Sequence, residues 1–174
     1  MSEPIEIDVW QGEIAELEVD ALVVGASESL FMTSGAAASV KRHGGDAIER
    51  AAVDQGPIEP GRAVATTGGT LAASYVIHAV AVGHDRIADP QRLRAAVSSA
   101  LALCVPLQIH RIAVAPLGIE HGAFPVPEAA ELLVAALVAE ASEHGLESVV
   151  IATPHAAEAR AIADALGRER ARVG

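Results

Sequence analysis

The hydrophobic period of this chain switches about eleven times between the short period or unbroken apolar run of a strand and the longer period of an amphipathic helix. That alternation constrains the fold more than any other feature, because every strand and helix must cover its apolar face with an element of the other kind. The outcome is a layered α/β domain. Strands are expected at Ile5–Trp10, Ala21–Val24, Arg62–Thr66, Tyr75–Val82, Arg111–Ala115 and Ser148–Ala152. Several are continuous Val, Ile and Ala runs, the pattern of strands covered on both faces. The expectation is a three-layer α/β/α sandwich around one mixed sheet of about six strands, with residues 1–174 forming a single domain.

Helix starts are marked by local chemistry. Asp89-Pro90, Thr153-Pro154 and Pro125-Val126-Pro127-Glu128 each put a cap or a proline where a helix can begin. Between Ala129 and Glu140 the residues Ala129, Leu133, Ala136 and Leu137 recur at helical spacing, and Gly145 follows where a left-handed residue ends the run. The segment from Ser34 to His43 reads as a helix ending at Gly44-Gly45, after which Asp46 and Glu49 resemble a capping box for the next.

Composition removes several function classes. Hydrophobic residues make up 51% of the chain and aromatic ones only 2%, so the core is aliphatic and base stacking cannot be widely used. A net charge of −11 repels polyphosphate at long range, and no Lys/Arg stripe is present, which argues against extended nucleic-acid binding. The one cysteine, Cys104, shares a helical face with Leu93, Val97 and Leu101 and is expected to be a buried, inert thiol. Neither a secretory signal nor a long uncharged apolar run occurs, so no membrane partner is expected and the cytoplasm is the default location. Nucleotide fingerprints of the G-x-G-x-x-G and P-loop types are missing, as is metal-ligand spacing, and neither a metal nor a cofactor is expected.

Two loops leading from strands toward helices remain, Ser27–Gly35 and Gly118–Phe124. Their small residues let backbone approach a ligand, and exposed N–H groups at the start of the Ser34 helix favour an anion such as a pyrophosphate. His78, in the fourth strand, is expected to be a core residue. His121 stands beside Glu120 as a titratable loop group, with an exposed, unpartnered histidine as the plainer reading.

Read in order, these segments resemble the macro domain family along nearly the whole chain. The resemblance runs through Gln11-Gly12-Glu13-Ile14, Val19-Asp20-Ala21-Leu22-Val23, Ser34-Gly35-Ala36-Ala37-Ala38-Ser39-Val40, Gly44-Gly45, Gly61, Thr66-Thr67-Gly68-Gly69 with Leu71, Tyr75-Val76-Ile77-His78-Ala79-Val80, and Pro116-Leu117-Gly118-Ile119-Glu120-His121-Gly122-Ala123-Phe124-Pro125. It implies a small-molecule ligand of the ADP-ribose type, held by Glu13, Ile14, Ala26, Ser27, Thr33, Ser34, Gly35, Ala36 and the loop Gly118, Ile119, Glu120, His121, Gly122, Ala123, Phe124. Oligomeric state is left open.

The departures from the family lie in those same loops. An Asp-Ile pair that holds adenine is here Glu13-Ile14, and an Asn-Ala-Ala-Asn strand end is here Val24-Gly25-Ala26-Ser27. A serine cannot reproduce the two-ended amide that meets the distal ribose. The helix position that carries an activating Asp in hydrolytic members is Ala37, which removes the familiar general base. The glycine loop is reduced to Thr33-Ser34-Gly35, a family Gly is replaced by Glu120, and the ribose-facing aromatic position falls on Gly122. A carboxylate beside a pyrophosphate repels it unless it points outward. The first expectation is therefore a binding module. The alternatives are a hydrolase of ADP-ribose derivatives using a substrate-held water or Glu120 and His121 in place of the missing Asp, and a degenerate module serving protein contacts through a cleft closed by Phe31, Met32 or Glu120.

Overall fold

The structure, a computed structural model, describes residues 4–120 and 122–174. Six strands, β1 (Glu6–Gln11), β2 (Ala21–Gly25), β3 (Ala63–Thr67), β4 (Tyr75–Ala79), β5 (Arg111–Val114) and β6 (Ser148–Thr153), form one sheet in the order β1-β6-β5-β2-β4-β3. All neighbours are parallel except β3, which pairs antiparallel with β4 at the edge. The central register sets Val23 between Ile77 and Val114. Five helices cover the sheet: α1 (Gly35–Gly44), α2 (Asp46–Val53), α3 (Pro90–Cys104), α4 (Val126–Glu140) and α5 (Ala156–Val173).

Side chains of β2 alternate between two cores, as the pleat requires. Ala21 and Val23 join Leu93, Leu101, Leu133 and Ile162 of α3, α4 and α5 on one face, while Leu22 and Val24 join Ala37, Val40 and Ile48 of α1 and α2 on the other. This is the expected three-layer arrangement. Cys104 lies fully buried in the larger core, and burial pushes its thiol up to about 11, which leaves it a packing residue.

Several local expectations shift by a few residues, each for a visible reason. The fourth strand stops at Ala79 rather than Val82, because its partner β2 ends at Gly25, opposite Ala79; Val80 still bonds Arg62 and Gly61 on the β3 side, and Ala81 and Val82 continue as a buried run. Thr153 does not open a helix. It closes β6 opposite Gln11, and α5 starts at Ala156 after Pro154 and His155; the Thr153 hydroxyl accepts from the His155 N–H at 3.2 Å and donates to Glu158 at 2.6 Å. The expected capping box at Asp46 and Glu49 is also absent. Gly45 takes the cap position without a side-chain bond, and Glu49 turns to the Lys41 ammonium at 2.8 Å and the Met32 N–H at 2.7 Å. Asp89 does cap α3, accepting from the Gln91 N–H at 2.9 Å, and Gly145 is left-handed with φ +74°, ending the short 3-10 turn that follows α4. No helix among the described residues is long and apolar enough to cross a membrane.

Candidate functional site

In open parallel sheets a ligand crevice forms beyond the carboxyl ends of two adjacent strands whose following helices go to opposite faces. Here β2 and β5 are those strands, since the chain leaves β2 toward α1 and β5 toward α4. Loops from β1, β4 and β6 reach the same rim because those strands run in the same direction.

Two hollows occupy this rim. The larger, about 410 Å³, is lined by Gly25, Ser27, Phe31, Thr33, Ser34, Ala37, Val82, Gly83, His84, Arg86 and Glu120. The smaller, about 190 Å³, is lined by Glu13, Ile14, Gly35, Ala36, Ser39, Arg42, Glu120, Ala152, Pro154 and His155. Glu120 belongs to both and forms the wall between them.

That wall is built on the start of α1. Ser34 precedes the helix in extended conformation but its hydroxyl makes no capping bond, and no acidic residue stands in the first turn. The N–H groups of a first turn need an outside acceptor. The Glu120 carboxylate supplies one, accepting from the Ala36 N–H at 3.0 Å. Gly35 makes the approach possible: it sits at φ +60°, and a Cβ there would lie 3.0 Å from the Glu120 carboxyl carbon. Burial pushes the Glu120 carboxyl up to about 7; the Ala36 hydrogen bond and the nearby His155 oppose that rise, and the Glu158 charge reinforces it. Glu120 therefore points inward, onto the seat expected for a pyrophosphate.

The loop that leads from β2 into α1 is held firmly on one side. Leu30 is fully buried against Ala26, Ala52 and Val80 although its φ is +66°, a conformation a bulky side chain rarely adopts. Met32 is buried as well, whereas Phe31 is 52% exposed at the mouth of the larger hollow. Glu13 accepts from the Ser39 hydroxyl at 2.7 Å, which fixes its carboxylate at the edge of the smaller hollow.

The structure thus brings Glu13, Ile14, Gly35, Ala36 and Glu120 together around one hollow, and Ser27, Thr33, Ser34 and Glu120 around the other. It does not bring the remaining expected residues there. Ala26 packs into the small cluster with Leu30, Ile119 and Phe124 are buried in the main core, and Ala123 packs against that core; the Phe124 ring covers Gly118. Gly122 is exposed and lines neither hollow, and His121 lies outside the described residues. The reason is the apolar character of this loop: with so few aromatics in the chain, Phe124 serves the core that α3 and α4 build.

Sequence reasoning missed Gly83, His84 and Arg86 after β4, and Arg42 and His155 beside the smaller hollow. The loops after β4 and β6 were findable, since once both strands are read as parallel members of the sheet their carboxyl ends point at the same crevice. Within that β4 loop, the His84 N–H donates to Glu28 at 2.7 Å. His78 lies fully buried one strand away from the cleft, its Nε2 3.0 Å from the Thr66 hydroxyl, and burial depresses it to about 4. Among the described residues no group of three or more His, Cys, Asp or Glu side chains is placed to hold a metal.

Comparison with known proteins places this geometry in a family. The family model for the Macro domain matches residues 23–133. An uncharacterized protein of Mycobacterium tuberculosis (strain ATCC 25618 / H37Rv) is 34% identical over 170 residues, covering 97% of this chain and 47% of its own. The mouse ADP-ribose glycohydrolase MACROD1 is 32% identical over 135 residues, covering 76% of this chain and 42% of its own. The chain therefore spans about half the length of these relatives. Among solved structures, the Trypanosoma brucei macrodomain in complex with ADP-ribose superposes with a TM-score of 0.85 at 23% identity, covering 93% of this chain and 69% of the other. The Oceanobacillus iheyensis macrodomain with MES bound gives 0.87 at 17% identity, covering 94% and 92%. With the resemblance along the sequence, the α/β/α architecture and the cleft at the β2/β5 crossover all in agreement, the chain belongs to the macro domain family.

Proposed function

We propose that this macro domain binds ADP-ribose or a closely related nucleoside diphosphate, with the nucleoside in the smaller hollow, the diphosphate across the start of α1 and the distal ribose in the larger hollow. One observation carries the reading most: two hollows meet at a helix start whose first-turn N–H finds no acceptor in its own cap and donates instead to an anion. The Glu13 carboxylate is placed to accept from an exocyclic amino group, as the family resemblance implies. The mouse relative's name, a glycohydrolase of ADP-ribose, and the ADP-ribose complex of the structural neighbour point to the same ligand class.

Binding is favoured over hydrolysis by the residues of the larger hollow. Ala37 offers a methyl group where hydrolytic members carry an Asp, and Glu120, a carboxylate lining the same hollow, is already engaged with α1. Titration calorimetry with ADP-ribose tests the proposal, with a 1:1 isotherm in the micromolar to millimolar range expected. A folded protein giving no heat at millimolar ligand overturns it. Release of free ADP-ribose from an ester-linked substrate would move the assignment to the hydrolase.

A further inference from the structure

The site just described contains an anion of its own. The Glu120 carboxylate is 84 residues from α1 in sequence, yet it takes the first-turn N–H of Ala36 and closes against Gly35, where its carboxyl atoms lie 3.0–3.1 Å from the position a Cβ would take. Among the described residues it is the one that lines both hollows. A diphosphate lying across the cleft would need this same place and the same N–H, for the same reason that the carboxylate takes it: negative charge is stabilised at a helix start.

We propose that Glu120 is a built-in occupant of the diphosphate seat, so that a ligand spanning both hollows binds only by displacing it. The inference rests on the ADP-ribose reading above and adds a competitor to it. In the closed state the cleft is two separate hollows, each large enough for a small fragment; in the open state it is one. The closed state is in turn adjusted by the charges around Glu120. His155 at the start of α5 attracts it and Glu158 on the same helix repels it, while Arg42 of α1 and Glu13 line the smaller hollow and His84 and Arg86 the larger. Burial favours the neutral carboxyl in the closed seat, and a displaced side chain returns to solvent, where it ionises at an ordinary value. Opening the seat therefore releases a proton, and ligand affinity falls as pH falls from 8 to 6.

Binding of ADP-ribose to the wild-type chain, Glu120→Gln and Glu120→Gly at pH 8 and pH 6 tests this. Gln keeps an acceptor for the Ala36 N–H without charge, and Gly opens the seat; circular dichroism confirms that each variant is folded before titration. The expected result is affinity at pH 8 raised at least tenfold in Glu120→Gly and not raised in Glu120→Gln, whose neutral amide still fills the seat. The several-fold weakening of the wild type between pH 8 and pH 6 is expected to flatten in both variants. Equal affinities for all three proteins at both pH values overturn the competitor while leaving ADP-ribose binding intact. Silence from all three, with each folded, removes the ligand assignment and the competitor together.

Discussion

Glu120 and Ala36 meet at 3.0 Å across 84 residues of sequence, a carboxylate from the loop after β5 accepting the first-turn N–H of α1. The contact joins the loop after β5 to the start of α1 and buries a carboxyl group to do so. Its consequence for stability follows from the raised titration of Glu120, near 7 against an ordinary value of 4.5. Between those two values the folded chain holds a proton that the unfolded chain has lost, so this group's contribution is fully present below about 4.5 and is lost as pH rises through about 7. Glu120→Gln is therefore expected to stabilise the protein at pH 8 by on the order of 2 kcal/mol, after allowance for partial exposure, and to match the wild type at pH 4.5. Urea unfolding at the two pH values measures the difference. An equal deficit at both would show that the carboxylate is not the strained partner.

His78 works in the opposite direction over nearly the same window. It is fully buried in β4, with the Thr66 hydroxyl on Nε2 and no partner for Nδ1 among the described residues, and burial lowers it to about 4 from 6.5. A histidine held neutral by the fold favours unfolding once protonated, so stability from this group is present above 6.5 and is lost as pH falls toward 4. The two opposed groups are expected to offset each other across this range. In His78→Gln, whose amide can keep the Thr66 contact without titrating, on the order of 2–3 kcal/mol of acid sensitivity disappears and the Glu120 trend is left uncovered. Stability that then falls as pH rises from 4.5 to 7, measured by denaturant midpoints, is the expected outcome. An unchanged profile excludes His78 as the acid-sensitive group.

Leu30 anchors the loop that forms one wall of the larger hollow. It is fully buried although φ is +66°, so its conformation persists only because packing against Ala26, Ala52 and Val80 outweighs the local strain. Leu30→Ala removes the packing and keeps the strain, and is expected to cost about 2–5 kcal/mol. Leu30→Gly removes both, so its net cost should fall close to that of Ala in spite of the smaller side chain. Thermal unfolding of the two variants checks the comparison. A glycine variant far less stable than the alanine one would show that the left-handed backbone carries no strain.

The layered architecture was legible because apolar periodicity reports which faces are covered, and alternating strand and helix periods admit few arrangements. The ends of β4 and β6 were not, since a ladder stops where its neighbour stops: Gly25 on β2 halts β4 opposite Ala79, and Gln11 on β1 carries β6 as far as Thr153. The site divides in the same way. Ser34, Gly35 and Glu120 lie on loops singled out because they follow strands, and Glu13 was named through the family resemblance. The inward direction of Glu120 could not be read from sequence, as it depends on the missing cap at Ser34 and the absent side chain at Gly35 meeting in space. Phe124 was read toward the ligand for want of the same information: a lone aromatic in a loop gives no sign of whether core or cleft will take it, and here α3 and α4 leave a core position for it.

Glu13 supplies the clearest handle on base recognition. Its carboxylate accepts from the Ser39 hydroxyl at 2.7 Å through one oxygen, and the residue lines the smaller hollow. A carboxylate accepts and does not donate, so it distinguishes an amino-bearing purine from one carrying a carbonyl at that position. If adenine occupies the hollow, Glu13→Gln should weaken ADP-ribose binding by about tenfold, the scale of one hydrogen bond to a charged acceptor. It should also narrow the preference for ADP-ribose over its hypoxanthine counterpart, since an amide can turn its NH₂ toward the carbonyl. Ser39→Ala is expected to act in the same direction but less strongly, because it frees the carboxylate without removing it. Competition binding with the two nucleotides reads both effects, and an unchanged ratio in Glu13→Gln would place the base elsewhere in the cleft.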